Sequence, residues 1–282
     1  MATPTIQRRR LGMALRRARE EAGKTRDEAA TLLDAAATKV SRLELGQSGI
    51  RLTDLKLLLD FYGVSGEHAE SLHALARAGR QRGRWSGYRN VVPDWFRAYV
   101  DLEADATEIR WYQAEIIPGL LQTESYMRAL NTTGLPHESE EELDDHVRVR
   151  MERTAIIDRP DAPALTFILS ESALRRNIGD AAIMRNQLQH LASIAERPGV
   201  EVQVYPFSAQ SYEVSTFDFI ILRFDNDPHS DVVYLENFTD ADYLDRLDAV
   251  RAYSGLWNRL QAAALGPVES RRLVRRIADE HR

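Results

Sequence analysis

Residues 24–46, KTRDEAATLLDAAATKVSRLELG, leave the chain little freedom of local structure. Thr25 and Glu28 stand at capping-box spacing, where a hydroxyl and a carboxylate each satisfy a free amide at a helix start. The helix they open runs to about Leu33, and a turn at Asp34-Ala35 leads into a second short helix, 36–45, stopped by Gly46. Two helices joined this tightly need small or apolar residues where they cross, and Ala29, Leu33, Val40 and Leu43 supply them. Val40 and Leu43, at i and i+3, turn inward. Thr38 and Arg42, at i and i+4, are left together on the outward stripe.

The flanking sequence extends the helical pattern. Leu11, Leu15 and Ala18 line one face of a helix over 8–22, with Gly23 as its stop. Another helix follows Thr53 and ends near Gly63, and a fifth covers 66–79. Residues 1–80 are thus expected to form a five-helix domain. Residues 80–90, RQRGRWSGYRN, are basic and lack apolar periodicity, which places a linker at 81–92 from which Trp85 and Tyr88 could dock on either neighbour. Beyond it, helices are expected at 94–106, 122–131, 139–156, 181–196, 240–264 and 268–281. Strands are expected at 109–117, 164–169, 200–205, 217–224 and 232–235. The fold class is therefore a mainly α N-terminal domain followed by a larger α+β (mixed) domain, 93–282.

Charge divides along the same line. Residues 1–85 carry 16 basic and 10 acidic side chains, and the remainder carries 21 and 33, so a net charge of −6 conceals a cationic head on an acidic body. A polyanion is the expected partner of such a head. Only Lys24, Lys39 and Lys56 are lysines, a composition bias that weakens the meaning of any one arginine. The chain has no cysteine, which excludes disulfides, thiolate metal sites and cysteine nucleophiles. The N-terminus lacks an apolar run of signal-peptide length, and no uncharged apolar run approaches the roughly 18 residues of a membrane span, so a soluble cytoplasmic protein without membrane contact is expected.

A helix clamped by Val40 and Leu43 can lie in the major groove of duplex DNA with its first turns near base edges. Arginine suits the O6/N7 pair of guanine, and threonine can donate to a base or meet a thymine methyl. Over residues 8–66 the chain resembles the Cro/phage-repressor helix-turn-helix, the Xre type, through Thr25, Glu28, Ala30, Leu33, Val40, Ser41, Leu43, Glu44 and Gly46. It departs from that pattern at Arg26, at Asp34 in place of a turn glycine, and at Ala36 and Ala37, where polar residues are customary. The resemblance implies that Ala37, Thr38 and Arg42 face bases, that Arg26, Lys39, Gln47, Ser48 and Arg51 meet phosphates, and that a homodimer reads half-sites about one helical turn apart. Glu44 is expected to brace the fold. Arg8–Arg10 read equally as a backbone-contacting arm or a frayed start.

Residues 96–130 resemble the start of a domain of unknown function found in actinobacterial regulators of the Xre type, including the WhiJ-like developmental regulators. IIPGLLQTESYMRAL (116–130) is its most recognisable stretch, supported by RVRMERTAII (148–157). That resemblance implies a cytoplasmic transcriptional regulator with a small acidic protein partner; a small-molecule effector is what the aromatic residues of this part suggest. Trp111, Tyr112 and Tyr126, with Tyr205, Phe207, Tyr212 and Phe217 around a loop at 208–215, are the aromatic residues that could line a ligand pocket or simply fill a core. Enzymatic readings find little support. Ser170-Glu171-Ser172 lacks a nucleophile elbow, no two of the seven histidines share an i, i+4 face, and no phosphate-cradling loop is present, so no cofactor or metal is expected. Two rivals stand beside the regulator: an adaptor with a vestigial helix-turn-helix, and a small-molecule enzyme whose head regulates its own gene.

Overall fold

A computed structural model describes residues 6–46, 48–80, 93–134, 139–209, 217–224 and 231–281. The chain divides into two compact units, Met1–Asp105 and Ala106–Arg282.

The first unit is helical, with α1 (Ile6–Glu21), α2 (Arg26–Leu32), α3 (Ala37–Glu44), α4 (Leu52–Tyr62) and α5 (Gly66–Ala78) in the expected order. Their apolar stripes meet in one core. Leu11 and Leu15 of α1, Ala29 of α2, Val40 and Leu43 of α3, Leu55, Leu58 and Leu59 of α4, and Leu72 of α5 are all buried. Each such leucine stabilises the unit by about 1.5–3 kcal/mol relative to an exposed one. α1 can lie close against the end of α3 because position 12 is glycine: a Cβ there would stand 2.5 Å from the Leu43 carbonyl oxygen and 2.6 Å from that of Glu44. A sixth helix, α6 (Asp94–Asp105), also lies in this unit. The expected linker, 81–92, lies outside the described residues. The stretch Arg8–Arg10 is neither an arm nor a frayed start. It sits within α1, where Arg9 is buried and the Arg8 Nε donates to the Gly79 carbonyl at 2.6 Å.

The second unit is built on a six-stranded sheet in the order β3-β2-β1-β4-β5-β6. The strands β1 (Glu108–Gln113), β2 (Ala164–Ser170) and β3 (Val200–Tyr205) run parallel, whereas β4 (Phe219–Arg223), β5 (Val232–Glu236) and β6 (Ala241–Leu244) pair antiparallel. Helices α7 (Glu124–Gly134), α8 (Glu140–Thr154), α9 (Glu171–Arg175), α10 (Ala181–Ile194), α11 (Leu247–Ala263) and α12 (Pro267–Glu280) complete it, with 3-10 turns at Gly119–Leu121 and Ala155–Asp158. Trp257, Val250 and Leu260 of α11 pack on one sheet face against Tyr112, Ile168, Phe219 and Val233. The β3 edge is closed: Ser270 accepts from the Val204 amide at 2.9 Å, and the Leu265 amide donates to the Val204 carbonyl at 2.9 Å.

Two expectations need correction. The strand expected at 109–117 ends at Gln113, because the Ala114 amide leaves the ladder and donates to the Asp218 carboxylate at 2.7 Å. The helix expected at 240–264 begins only at Leu247. Its first residues form β6 instead, paired with β5 across a tight hairpin, with the Tyr234 and Tyr243 rings 5.2 Å apart. Among the described residues no helix is long and apolar enough to cross a membrane.

Candidate nucleic-acid interface

The α2–turn–α3 pair is assembled by local chemistry. Thr25 Oγ1 accepts the Glu28 amide at 3.2 Å while Glu28 Oε2 accepts the Thr25 amide at 2.7 Å, the reciprocal box that starts α2. The chain leaves α2 through Asp34, the one described non-glycine residue with positive φ, 47°. Aspartate tolerates that left-handed geometry, so it can serve where a glycine is customary. At the start of α3, Ala36 offers no side-chain cap.

α3 is then pinned by Val40 and Leu43, 1% and 4% exposed, and by Glu44. Glu44 Oε1 accepts from Arg19 Nε of α1 at 2.5 Å, and Oε2 accepts from Arg26 Nε of α2 at 2.9 Å. One buried carboxylate therefore ties three helices together. The bond to Glu44 is the main cause that raises the Arg19 pKa, so that guanidinium stays charged in its buried position. Burial, followed by the Glu44 charge, pushes Tyr62 up to about 12.

The expected base-facing residues do not all lie in the same environment. Thr38 and Arg42 are exposed, and Arg42 has no hydrogen-bond or ion-pair partner among the described residues. Ala37 is half-buried against the core and offers a methyl at most. The expected phosphate contacts also differ from one another. Arg51, at the cap of α4, is exposed and its side chain has no partner among the described residues. Arg26 lends its Nε to Glu44 yet keeps a half-exposed side chain, and Lys39 is drawn to Asp54 of α4 at 3.0 Å. Among the described residues the Ser48 hydroxyl is buried without a partner, so it does not face solvent where a phosphate would sit. Gln47 lies outside the described residues. Leu45, 44% exposed, continues the Thr38–Arg42 stripe one turn further, a neighbour that i+7 spacing could have revealed.

The aromatic residues of the second unit do not form one pocket. Trp111 and Tyr112 are consecutive in β1 and point to opposite sheet faces: Trp111 meets Phe167, while Tyr112 meets Phe219. Tyr126 is fully buried in α7, its hydroxyl accepting the Ile117 amide at 3.2 Å. Tyr205 joins the Tyr112 cluster, Phe207 and Phe217 are exposed, and Tyr212 with most of the expected loop at 208–215 lies outside the described residues. The Tyr112 hydroxyl is buried without a partner among the described residues, and burial pushes its pKa up. Asp218, which holds the Ala114 amide and the Gln113 side-chain amide, is likewise raised by burial. Among the described residues no group of three acidic or histidine side chains could hold a metal ion.

Two short helices crossing over a buried staple, the second with a free polar stripe, make this a helix-turn-helix protein, and the model of that domain matches residues 10–72. The larger part of the chain places it in a family: the model of a domain of unknown function (DUF5753) matches residues 96–276, and the protein belongs to that family. No curated protein and no solved structure gives a significant match.

Proposed function

We propose that this chain is a cytoplasmic, sequence-specific transcriptional regulator of the Xre type that binds duplex DNA as a homodimer and whose second unit senses a small molecule or a partner protein. The observation that carries the reading is the state of α3. Its inner side is locked by Val40, Leu43 and Glu44, while Thr38 and Arg42 are exposed and the Arg42 guanidinium has no partner among the described residues. A guanidinium held on a rigid helix and unpaired in the free protein can make a bidentate contact to guanine without first breaking an internal bond, and such a contact discriminates by about 1–3 kcal/mol. Arg51 and the outer nitrogens of Arg26 supply cations for the adjoining backbone, which add affinity without sequence information.

The test begins with genome-wide mapping of bound DNA, followed by mobility shifts on a recovered site at about 150 mM salt. Arg42→Ala is expected to lose roughly 10-fold or more on that site while keeping its affinity for unrelated duplex. Arg51→Ala is expected to weaken both by a similar factor. Unchanged affinity for the recovered site in Arg42→Ala and Thr38→Ala would favour a protein-binding role for the head.

A further inference from the structure

The second unit holds a cleft of 280 Å³ between the start of α7 with the preceding 3-10 turn and the elements α8, Ala155–Asp158 and α10. Its apolar lining includes Leu120, Met151, Ile157 and Ile194, and Met151 is left more than one-third exposed there. The charges that face it are already matched: Glu124 of α7 pairs with Arg128 at 2.9 Å, and Asp158 pairs with Arg197. What remains is His190 of α10. Its ring lines the cleft half-buried, with no hydrogen-bond or ion-pair partner among the described residues. Burial, then the Arg197 charge, lowers its pKa, so at neutral pH the ring is uncharged and keeps one nitrogen as an acceptor.

The wall of the cleft is held by buried polar side chains. Gln187, fully buried, accepts the Thr123 amide at 2.7 Å and donates to the Leu121 carbonyl at 2.7 Å. Gln122 donates to the Ile117 carbonyl at 2.7 Å and accepts from Arg150 at 2.9 Å. Satisfied networks of this kind fix one backbone arrangement more than they add stability, which is what a preformed binding wall requires.

We propose that this cleft binds an uncharged, largely apolar small molecule that donates one hydrogen bond to His190. A charged guest would lie beside a like charge in each of the two ion pairs, whereas a neutral one meets no such repulsion. The volume lies at the lower edge of ligand pockets, roughly 300–1,000 Å³, which restricts the guest to one or two fused rings or a branched chain of equal bulk. The inference deepens the reading of the second unit as the sensing one, but binding here does not depend on DNA recognition by the first.

1-Naphthol, neutral at about pH 7.5 and bearing a single hydroxyl, is the probe. It is titrated into the full chain while the imidazole NMR signals of the histidines are followed. The His190 signal is expected to shift saturably. Met151→Trp, which fills the cleft from its exposed side, and His190→Phe, which removes the acceptor, should each weaken binding about 10-fold, and His190→Gln should recover part of it. Thermal unfolding of each variant checks the fold. The proposal is overturned if His190 stays still while other histidines shift, if binding does not saturate, or if either well-folded variant, Met151→Trp or His190→Phe, binds as the parent does. Operator affinity is measured separately, so a chain that binds naphthol but no DNA refutes the regulator and leaves the cleft standing.

Discussion

At Glu44 a single carboxylate answers guanidinium groups from two other helices, and Arg19 on the far side of that contact is almost as buried as Glu44 itself. Removing the carboxylate strands a buried charge, which costs about 3–5 kcal/mol, far more than the pair adds over an apolar substitute. Glu44→Ala is therefore expected to lower the unfolding free energy read from urea denaturation by that amount, while Glu44→Gln, which still accepts a hydrogen bond, loses less. Asp101 of α6 acts in the opposite sense. Burial, helped by Asp105 and opposed by Arg8 and Arg97, pushes its carboxyl up to about 6. The folded chain thus holds that proton more tightly than the unfolded chain, whose aspartate titrates near 3.9. Stability from this group is complete below about pH 4 and is lost as pH rises through about 6. Asp101→Asn should match the parent in stability at pH 4 and exceed it at pH 7.5, by on the order of 1–2 kcal/mol after allowing for partial solvation, as read from thermal melts at both values. Equal melting at both values would show that the carboxyl is not desolvated.

Among the helices, the contact between α1 and the end of α3 has no slack, because the position-12 Cβ that any other residue would bring falls on two backbone carbonyls. Gly12→Ala must part the helices, and it is expected to destabilise the first unit by several kcal/mol although alanine is the better helix former by about 1 kcal/mol. Thr25→Ala, which removes only a cap, should cost about 1 kcal/mol. The difference explains what the sequence reveals. Capping boxes, inward Val40 and Leu43, and a left-handed turn at Asp34 are local arrangements, written within a few residues of where they act. The Gly12 contact joins residues more than thirty positions apart, and nothing at position 12 announces it. The same limit applies to the acidic stretch before α11. Asp242 to Leu244 have helical company on one side, and only their pairing with Leu235 to Val233 makes them a strand. The candidate site follows the same rule. The exposure of Arg42 is legible from helical spacing, whereas the diversion of Lys39 to Asp54, the burial of the Ser48 hydroxyl and the cleft beside His190 depend on distant partners.

For the whole molecule, the decisive quantity is how many of its cations reach phosphate. In the proposed homodimer two heads would offer Arg26, Lys39 and Arg51 each, and six phosphates neutralised outright would give a slope of log affinity against log salt near −5. The folded protein has already spent part of that charge internally: Lys39 lies 3.0 Å from Asp54, and Arg26 shares Glu44 with Arg19. A cation whose charge is already balanced releases little counterion, so the full chain should show a slope closer to −3. Asp54→Asn returns the Lys39 charge to the surface. It is expected to steepen the slope by about 2 across the dimer, to tighten binding to unrelated duplex, and to narrow the ratio between specific and non-specific affinity. Arg51→Ala should flatten the slope by a similar amount. Because the remainder of the chain is acidic, with 33 acidic against 21 basic side chains, it supplies no compensating attraction that could mask either change. A slope that Asp54→Asn leaves unmoved would mean that Lys39 stays off the backbone, and that Asp54 holds a helix in place without rationing charge at the groove.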